Sequence, residues 1–174
     1  MFKNADHSHE HSRFVLDRLA EHTDFLRSLR TIVDVGSGAG LDARWWADTI
    51  GNLNITNHTV YAVDRDEKSF DSSLLTNNIQ TLTQDYEQLT LPKPADLIWC
   101  HNSFQYCLNP LQTLKQWNLQ MKTDAMLVLT VPLHVGYKYN RLQTRSYSGC
   151  YYSYNICNII HMLAVNGFDV YEIV

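Results

Sequence analysis

The sequence has no apolar stretch near the roughly 18 residues that cross a bilayer, and its start, MFKNADHSHEH, has no apolar signal region. A cytoplasmic location without membrane contact is expected. Cysteine is scarce: Cys100, Cys107, Cys150 and Cys157 form two pairs with six residues between partners, wider than the short gaps of zinc sites. They read as buried free thiols. His7, Glu10 and His11 could share a helical face around a metal, but solvated terminal histidines are preferred and no metal is expected. Glycine is also sparse, seven in all, yet three of the seven are Gly36, Gly38 and Gly40. The dinucleotide fingerprint would put a glycine where Leu41 stands, and the Lys-Ser/Thr pair of a phosphate-cradling loop is missing. A cofactor with a pyrophosphate is therefore disfavoured. Residues 125–168 hold Lys138, Arg141 and Arg145 and no acid, within a chain of net charge −4. The overall charge argues against indiscriminate nucleic-acid binding, while the acid-free segment suits an anionic partner or is an ordinary solvated loop.

What is present centres on VDVGSGAG, Val33 to Gly40. Asp34 ends an apolar run, so its carboxylate can project into the crevice beyond a strand, and the glycines let the backbone turn sharply against a ligand. That arrangement suits an adenosine-containing cofactor.

Around this turn the pattern alternates helix and strand. Val15, Leu19, His22, Leu26 and Leu29 predict an amphipathic helix over 12–29. TIVDV (31–35) is a first strand, and LDARWWADTI (41–50) a helix with Leu41, Trp45 and Ala47 toward the sheet and Asp42, Arg44 and Asp48 toward water. Further strands are expected at 59–64, 78–83 and 95–100, with a short helix over 67–75. Asn109 and Pro110 open a helix whose inner stripe is Leu111, Leu114, Trp117 and Met121. AMLVLTVP, a fifth strand, has the continuous apolar character of a parallel strand covered on both faces. A helix over 154–166, capped by Gly167, and a sixth strand, FDVYEIV, end the chain. Five βα repeats make a doubly wound, mostly parallel α/β sheet with helices on both faces, in one domain over 1–174.

Together VDVGSGAG, Asp64 in YAVDRD, Asp85 in LTQDYEQL and DLIWCHNSFQYCLNP (96–110) resemble the class I S-adenosylmethionine-dependent methyltransferases over residues 25–132. The resemblance implies S-adenosyl-L-methionine as cofactor. Gly36, Ser37, Gly38 and Gly40 would border its methionine part with Asp34 beneath. Asp64 would accept both ribose hydroxyls, Asp85 beside Tyr86 the adenine amino group, and His101 would touch the cofactor. Asp85 could instead be a turn cap, and Asp64 a surface partner of Arg65. Arg65 stands where similar enzymes place an apolar residue and could cover the adenine face through its guanidinium. Gly36 and Asp64 are also further apart than the roughly 20 residues of the compact fingerprint, an excess the GNLNITNH loop would absorb.

Members that methylate planar amides commonly carry Asn/Asp-Pro-Pro-aromatic after strand four, where this chain has His101, Asn102, Ser103 and Phe104. The stretch is nearer to the branch that modifies small molecules, although Gln105 and Tyr106 replace that branch's acid and histidine. Methyl transfer is an in-line displacement in which alignment alone supplies about 7–11 kcal/mol, so a base is optional. By placement, His101 and His134 are the candidate bases, with a structural hydrogen bond the rival role for the first and a plain loop histidine for the second. Residues 134–154 hold six of the ten tyrosines and would overhang the pocket as a substrate lid. There Tyr137, Lys138, Arg141 and Arg145 would meet a small anionic or ring-bearing substrate; a tyrosine-rich packing loop explains the composition as well. The resemblance further implies a seventh, antiparallel strand, for which no residues follow Val174, so a minimal or truncated domain is expected, or a homodimer covering the open edge. Two alternatives stay open: a non-catalytic cofactor-binding module that regulates a partner, and an RNA methyltransferase, which would want a more extended cationic surface.

Overall fold

The computed structural model describes residues 14–19, 21–73, 76–131, 152 and 154–173. Residues 14–19 are helical and lead into α1 (Thr23–Ser28), β1 (Thr31–Val35), α2 (Leu41–Asn52), β2 (Thr59–Asp64) and β3 (Ile79–Thr83). Then come β4 (Ala95–His101), α3 (Pro110–Leu119), β5 (Met121–Thr130) and α4 (Ile156–Val165). The five strands form one parallel sheet in the order β3-β2-β1-β4-β5. From β1 the chain winds outward to β3, then crosses back to β4. The gap between the turns leaving β1 and β4 is the place where an open α/β sheet admits a ligand.

Alternation along the strands feeds two cores. Ile32, Val60, Ala62, Leu97 and Trp99 pack with Leu26 of α1 and with Ala43, Trp46, Ala47 and Ile50 of α2. Val33, Val35, Val63, Ile98 and Cys100 pack on the other face with Leu114 and Trp117 of α3, Phe104 and Tyr154. Every residue of β1 is buried as a result. Covering both faces is what a central parallel strand requires.

Several elements depart from expectation. The helix over 12–29 is two pieces: a turn at Glu21 and His22 breaks it, and residues 12, 13 and 20 lie outside the described residues. On α2 the buried stripe is Ala43, Trp46, Ala47 and Ile50, while Leu41 is 40% exposed. The inward face is thus rotated by about one residue, because the two indoles pack edge to face and only Trp46 reaches Trp99. The helix over 67–75 shrinks to a 3₁₀ turn, Glu67–Ser69, with residues 74 and 75 outside the described set. Another 3₁₀ turn, Tyr86–Gln88, joins β3 to β4, so the crossovers are not all helical. On α3 Leu114 and Trp117 face inward as expected, but Leu111 is exposed and Met121 already belongs to β5. β5 is half-buried rather than covered on both sides, since it forms the sheet's edge among the described residues.

The sixth strand does not form: residues 168–173 have no regular structure, and Tyr171 is 88% exposed. Glu172 instead pairs with Arg18, which carries this stretch toward the N-terminal helix. Cys100 and Cys107 are buried thiols, Cys157 is exposed on α4, and Cys150 lies outside the described residues. Among the described residues no helix is long and apolar enough to cross a membrane, and no three His, Cys, Asp or Glu side chains are placed to hold a metal. His7, Glu10 and His11 lie outside them.

One carboxylate ties three elements at the base of the sheet. Asp96 Oδ2 accepts from the backbone N–H groups of Arg30 (3.0 Å) and Thr31 (2.8 Å), and Oδ1 from Lys122 Nζ (2.7 Å). Partial burial disfavours its charge, but the Lys122 bond, the two amides and the Lys122 charge outweigh that and hold the carboxyl below its usual range. A carboxyl with a lowered folded-state pKa stabilises above its unfolded pKa, and this contribution is lost as pH falls through the folded value. Asp96→Asn is expected to cost about 1–2 kcal/mol at neutral pH and much less in acid, read from urea unfolding at each pH.

Candidate functional site

Because all five strands are parallel, Asp34, Asp64 and His101 come to one edge of the sheet, and Asp85 follows β3 at the same edge. Asp34 lies opposite Ala62 and Trp99, Asp64 opposite Thr83, and His101 opposite Thr130. The sheet therefore gathers residues scattered over nearly 70 positions of sequence.

The glycine turn is held at both ends. Gly36 and Ser37 donate to the Val63 carbonyl at 2.9 and 3.0 Å, and Gly38 N–H donates to Asp64 Oδ2 at 2.9 Å. Asp64 Oδ1 accepts from Asp66 N–H at 3.0 Å. Each carboxylate oxygen thus spends one acceptor position on a backbone amide, Gly38 of the turn or Asp66 after β2, and retains another for a ligand. Gly36 has φ +72°, and a Cβ placed on it would lie 2.4 Å from both Cβ and Oγ of Ser103. That serine cannot easily yield, since its hydroxyl donates to the Val35 carbonyl at 2.8 Å. Gly38, at φ +53°, has open space around it, as a backbone facing a ligand would. Gly40, in the left-handed region, caps α2 without a side-chain hydrogen bond.

Beneath the turn, Asp34 is 2% exposed, and its Oδ2, like Ser37 Oγ, is buried without a well-formed hydrogen bond among the described residues. Burial first, then the charges of Asp42 and Asp64, push its carboxyl well above the usual range; the Ser37 hydroxyl and Ala43 amide offset only part of this. A buried carboxyl with one oxygen left unpartnered suits a cationic or hydrogen-donating ligand group.

Elsewhere the predicted residues divide. Asp85 is exposed at the end of β3, where Oδ1 caps the 3₁₀ turn by accepting from Glu87 N–H at 2.9 Å. Tyr86 is half-buried: its hydroxyl donates to the Ser103 carbonyl (3.0 Å) and its own carbonyl accepts from Trp117 Nε1 (2.8 Å). Arg65 is exposed just past Asp64. His134, Tyr137, Lys138, Arg141 and Arg145 lie outside the described residues, so the lid remains an expectation there. Tyr154, placed in the lid by sequence, is a core residue stacked on Phe104 at 5.5 Å.

Two polar residues were missed. Asp42, read as facing water, accepts from Trp99 Nε1 at 2.8 Å and lies 3.4 Å from His101 Nδ1. Ser103 was read only as part of a motif, yet it is the wall that makes Gly36 obligatory. The signal for Asp42 was present in Trp99-x-His101, two polar ring edges on one side of a strand facing a helix that opens with an acid.

A doubly wound α/β fold with an acid-lined glycine crevice at its switch point defines a nucleotide-cofactor class of protein. The chain matches the methyltransferase domain family over residues 33–129, more than half its length, and belongs to that family. It is similar to malonyl-[acyl-carrier protein] O-methyltransferase 2 of Coxiella burnetii, with 31% identity over 108 residues; the match takes in 60% of this chain and 42% of that protein. The chain thus spans under half the length of this curated relative. Its fold is similar to that of phosphoethanolamine N-methyltransferase 2 of Haemonchus contortus, solved with phosphomonomethylethanolamine and S-adenosylhomocysteine. There the TM-score is 0.69 at 15% identity, covering 81% of this chain and 34% of that one. The YcgJ protein of Bacillus subtilis has a TM-score of 0.68 at 17% identity, covering 90% of this chain and 68% of that one. The fold is therefore the Rossmann-like sheet of the methyltransferases.

Gly36→Ala adds left-handed strain to a clash with Ser103 and is expected to cost about 2–4 kcal/mol, whereas Gly38→Ala, with strain alone, costs about 1–2 kcal/mol. Chemical denaturation of both variants measures the difference. For Asp34 the sign is opposite to that of Asp96. The unfolded chain releases this proton near pH 4 while the folded chain keeps it, so stability falls as pH rises from there toward the raised folded value. Asp34→Asn is expected to lack this fall and to melt higher than wild type at neutral pH, measured by thermal unfolding.

Proposed function

We propose that this chain binds S-adenosyl-L-methionine in the crevice between β1 and β4 and transfers its methyl group to a small-molecule substrate. The observation that carries this reading is Asp64, whose Oδ2 holds the glycine turn through Gly38 N–H and whose Oδ1 takes Asp66 N–H, each oxygen keeping a second acceptor position, the pattern a ribose diol needs. Asp34, with its unpartnered oxygen, suits the ammonium of the methionine part, and Asp85 the adenine amino group one strand further out. Arg65 would cover the adenine face. The cofactor supplies an electrophilic sulfonium methyl when bound, and the chain's residues bind and align it. His101 borders the reacting end, at the tip of β4.

For the substrate, the stretch His101 to Phe104 in place of a Pro-Pro motif favours a small molecule over a planar amide or nucleobase. The acid-free segment with Tyr137, Lys138, Arg141 and Arg145 suits an anionic or ring-bearing one. The relative crystallised with phosphomonomethylethanolamine, a phosphate-bearing small molecule, supports the same direction.

Calorimetry with S-adenosylmethionine and S-adenosylhomocysteine tests the cofactor. One site is expected, with affinity at least tenfold lower in Asp64→Asn, about 1.4 kcal/mol. No heat from either compound with folded protein would overturn the reading. Transfer of labelled methyl from the cofactor into the small-molecule fraction of a cell extract separates an enzyme from a binding module.

A further inference from the structure

We propose that Asp42 is a positioning residue that sets the His101 imidazole in one tautomer and, through it, orients the Asn102 carboxamide at the crevice wall that meets the methyl acceptor. The proposal rests on the function proposed above and adds residues to it. Asp42 stands in the first turn of α2, where a carboxylate is favoured by the helix N-terminus, and its side chain is only 13% exposed. Its Oδ2 is anchored by Trp99 Nε1 at 2.8 Å and lies 3.4 Å from His101 Nδ1, on a ring that is 8% exposed. Trp99 and His101 are two residues apart on β4 and so share the face toward α2.

A carboxylate beside Nδ1 draws the single imidazole proton to that nitrogen and leaves Nε2 an acceptor. Asn102 Nδ2 lies 3.1 Å from Nε2 and can donate to it. The Nδ1–H tautomer satisfies both contacts. The other would set a lone pair against the carboxylate and an N–H against an NH2 group. Asn102 is held from its backbone as well: it sits at φ +51°, its N–H donates to the Thr130 carbonyl (3.0 Å), and its carbonyl accepts from Gln105 Nε2 (2.7 Å). A strained backbone pinned from both sides beside a crevice is a common sign of a functional residue. It directly precedes Ser103, which abuts the glycine turn, so its backbone lies next to that opening. With one N–H given to His101, it offers the acceptor molecule its oxygen and a second N–H. His101, engaged at both nitrogens, orients rather than removes a proton.

Nitrogen-15 NMR of the histidine-labelled, ligand-free protein reads the tautomer directly. Wild type is expected as Nδ1–H, and Asp42→Ala, which removes the acceptor beside Nδ1, is expected to move His101 toward Nε2–H and to shift the Asn102 side-chain resonances. Asn102→Ala is expected to keep the Nδ1–H form, because Asp42 sets it. An Nε2–H tautomer in wild type, or an unchanged tautomer in a folded Asp42→Ala, would overturn the proposal. Should Asp42→Ala fail to fold, wild type and Asn102→Ala decide. S-adenosylhomocysteine calorimetry on the same samples separates the two readings. Binding with the wrong tautomer sinks only the positioning role. The expected tautomer without binding sinks the cofactor reading and leaves the Asp42–His101–Asn102 geometry standing.

Discussion

The crevice depends on the approach of Gly36 to Ser103. The serine hydroxyl bonds the last carbonyl of β1, its carbonyl takes the Tyr86 hydroxyl, and its Oγ lies 3.4 Å from Cys100 Sγ. Burial, more than any neighbouring charge, pushes that thiol up to about 12, so it packs as a neutral group. One small polar residue, through its hydroxyl and its own carbonyl, thus joins β1, the loop after β3 and the end of β4. No larger residue fits beside a glycine with so little room, and none without a hydroxyl would satisfy the β1 carbonyl.

Around this joint the protein concentrates acids. Asp34, Asp42 and Asp64 lie near enough to influence one another, and the burden falls on the most buried member. Asp64 accepts from two amides and Asp42 from an indole, whereas at Asp34 burial outweighs the Ser37 and Ala43 hydrogen bonds and pushes the carboxyl well above its usual range. Such an arrangement lowers stability without a ligand and is repaid by a ligand that brings positive charge or hydrogen donors. Local cost at a site, set on a scaffold that is otherwise consistent, is the usual pattern for functional residues.

Much of this was legible in the chain. β1, β2 and β4 match their expected ranges almost residue for residue and α3 starts where expected, because apolar runs bounded by a glycine turn and an Asn-Pro start are local signals. The glycine turn and the position of Asp34 and Asp64 at strand ends beside it were legible the same way. The face of α2 was not, since two adjacent tryptophans leave the period ambiguous and only Trp99 selects between them. FDVYEIV carried a strand-like pattern, but a strand needs a partner edge, and residues 168–173 run toward Arg18 instead.

The sequence alone determined the alternation of elements, the sharp turn after β1 and the identity of the carboxylates, since each follows from neighbours within a few residues. Only the tertiary structure decided which carboxyl burial pushes up, which indole is buried, and that Asp42 meets Trp99 and His101 while Ser103 closes on Gly36. Those outcomes arise from groups 57 to 68 residues apart in sequence meeting across the sheet, and burial and hydrogen bonding act on proximity in space rather than along the chain.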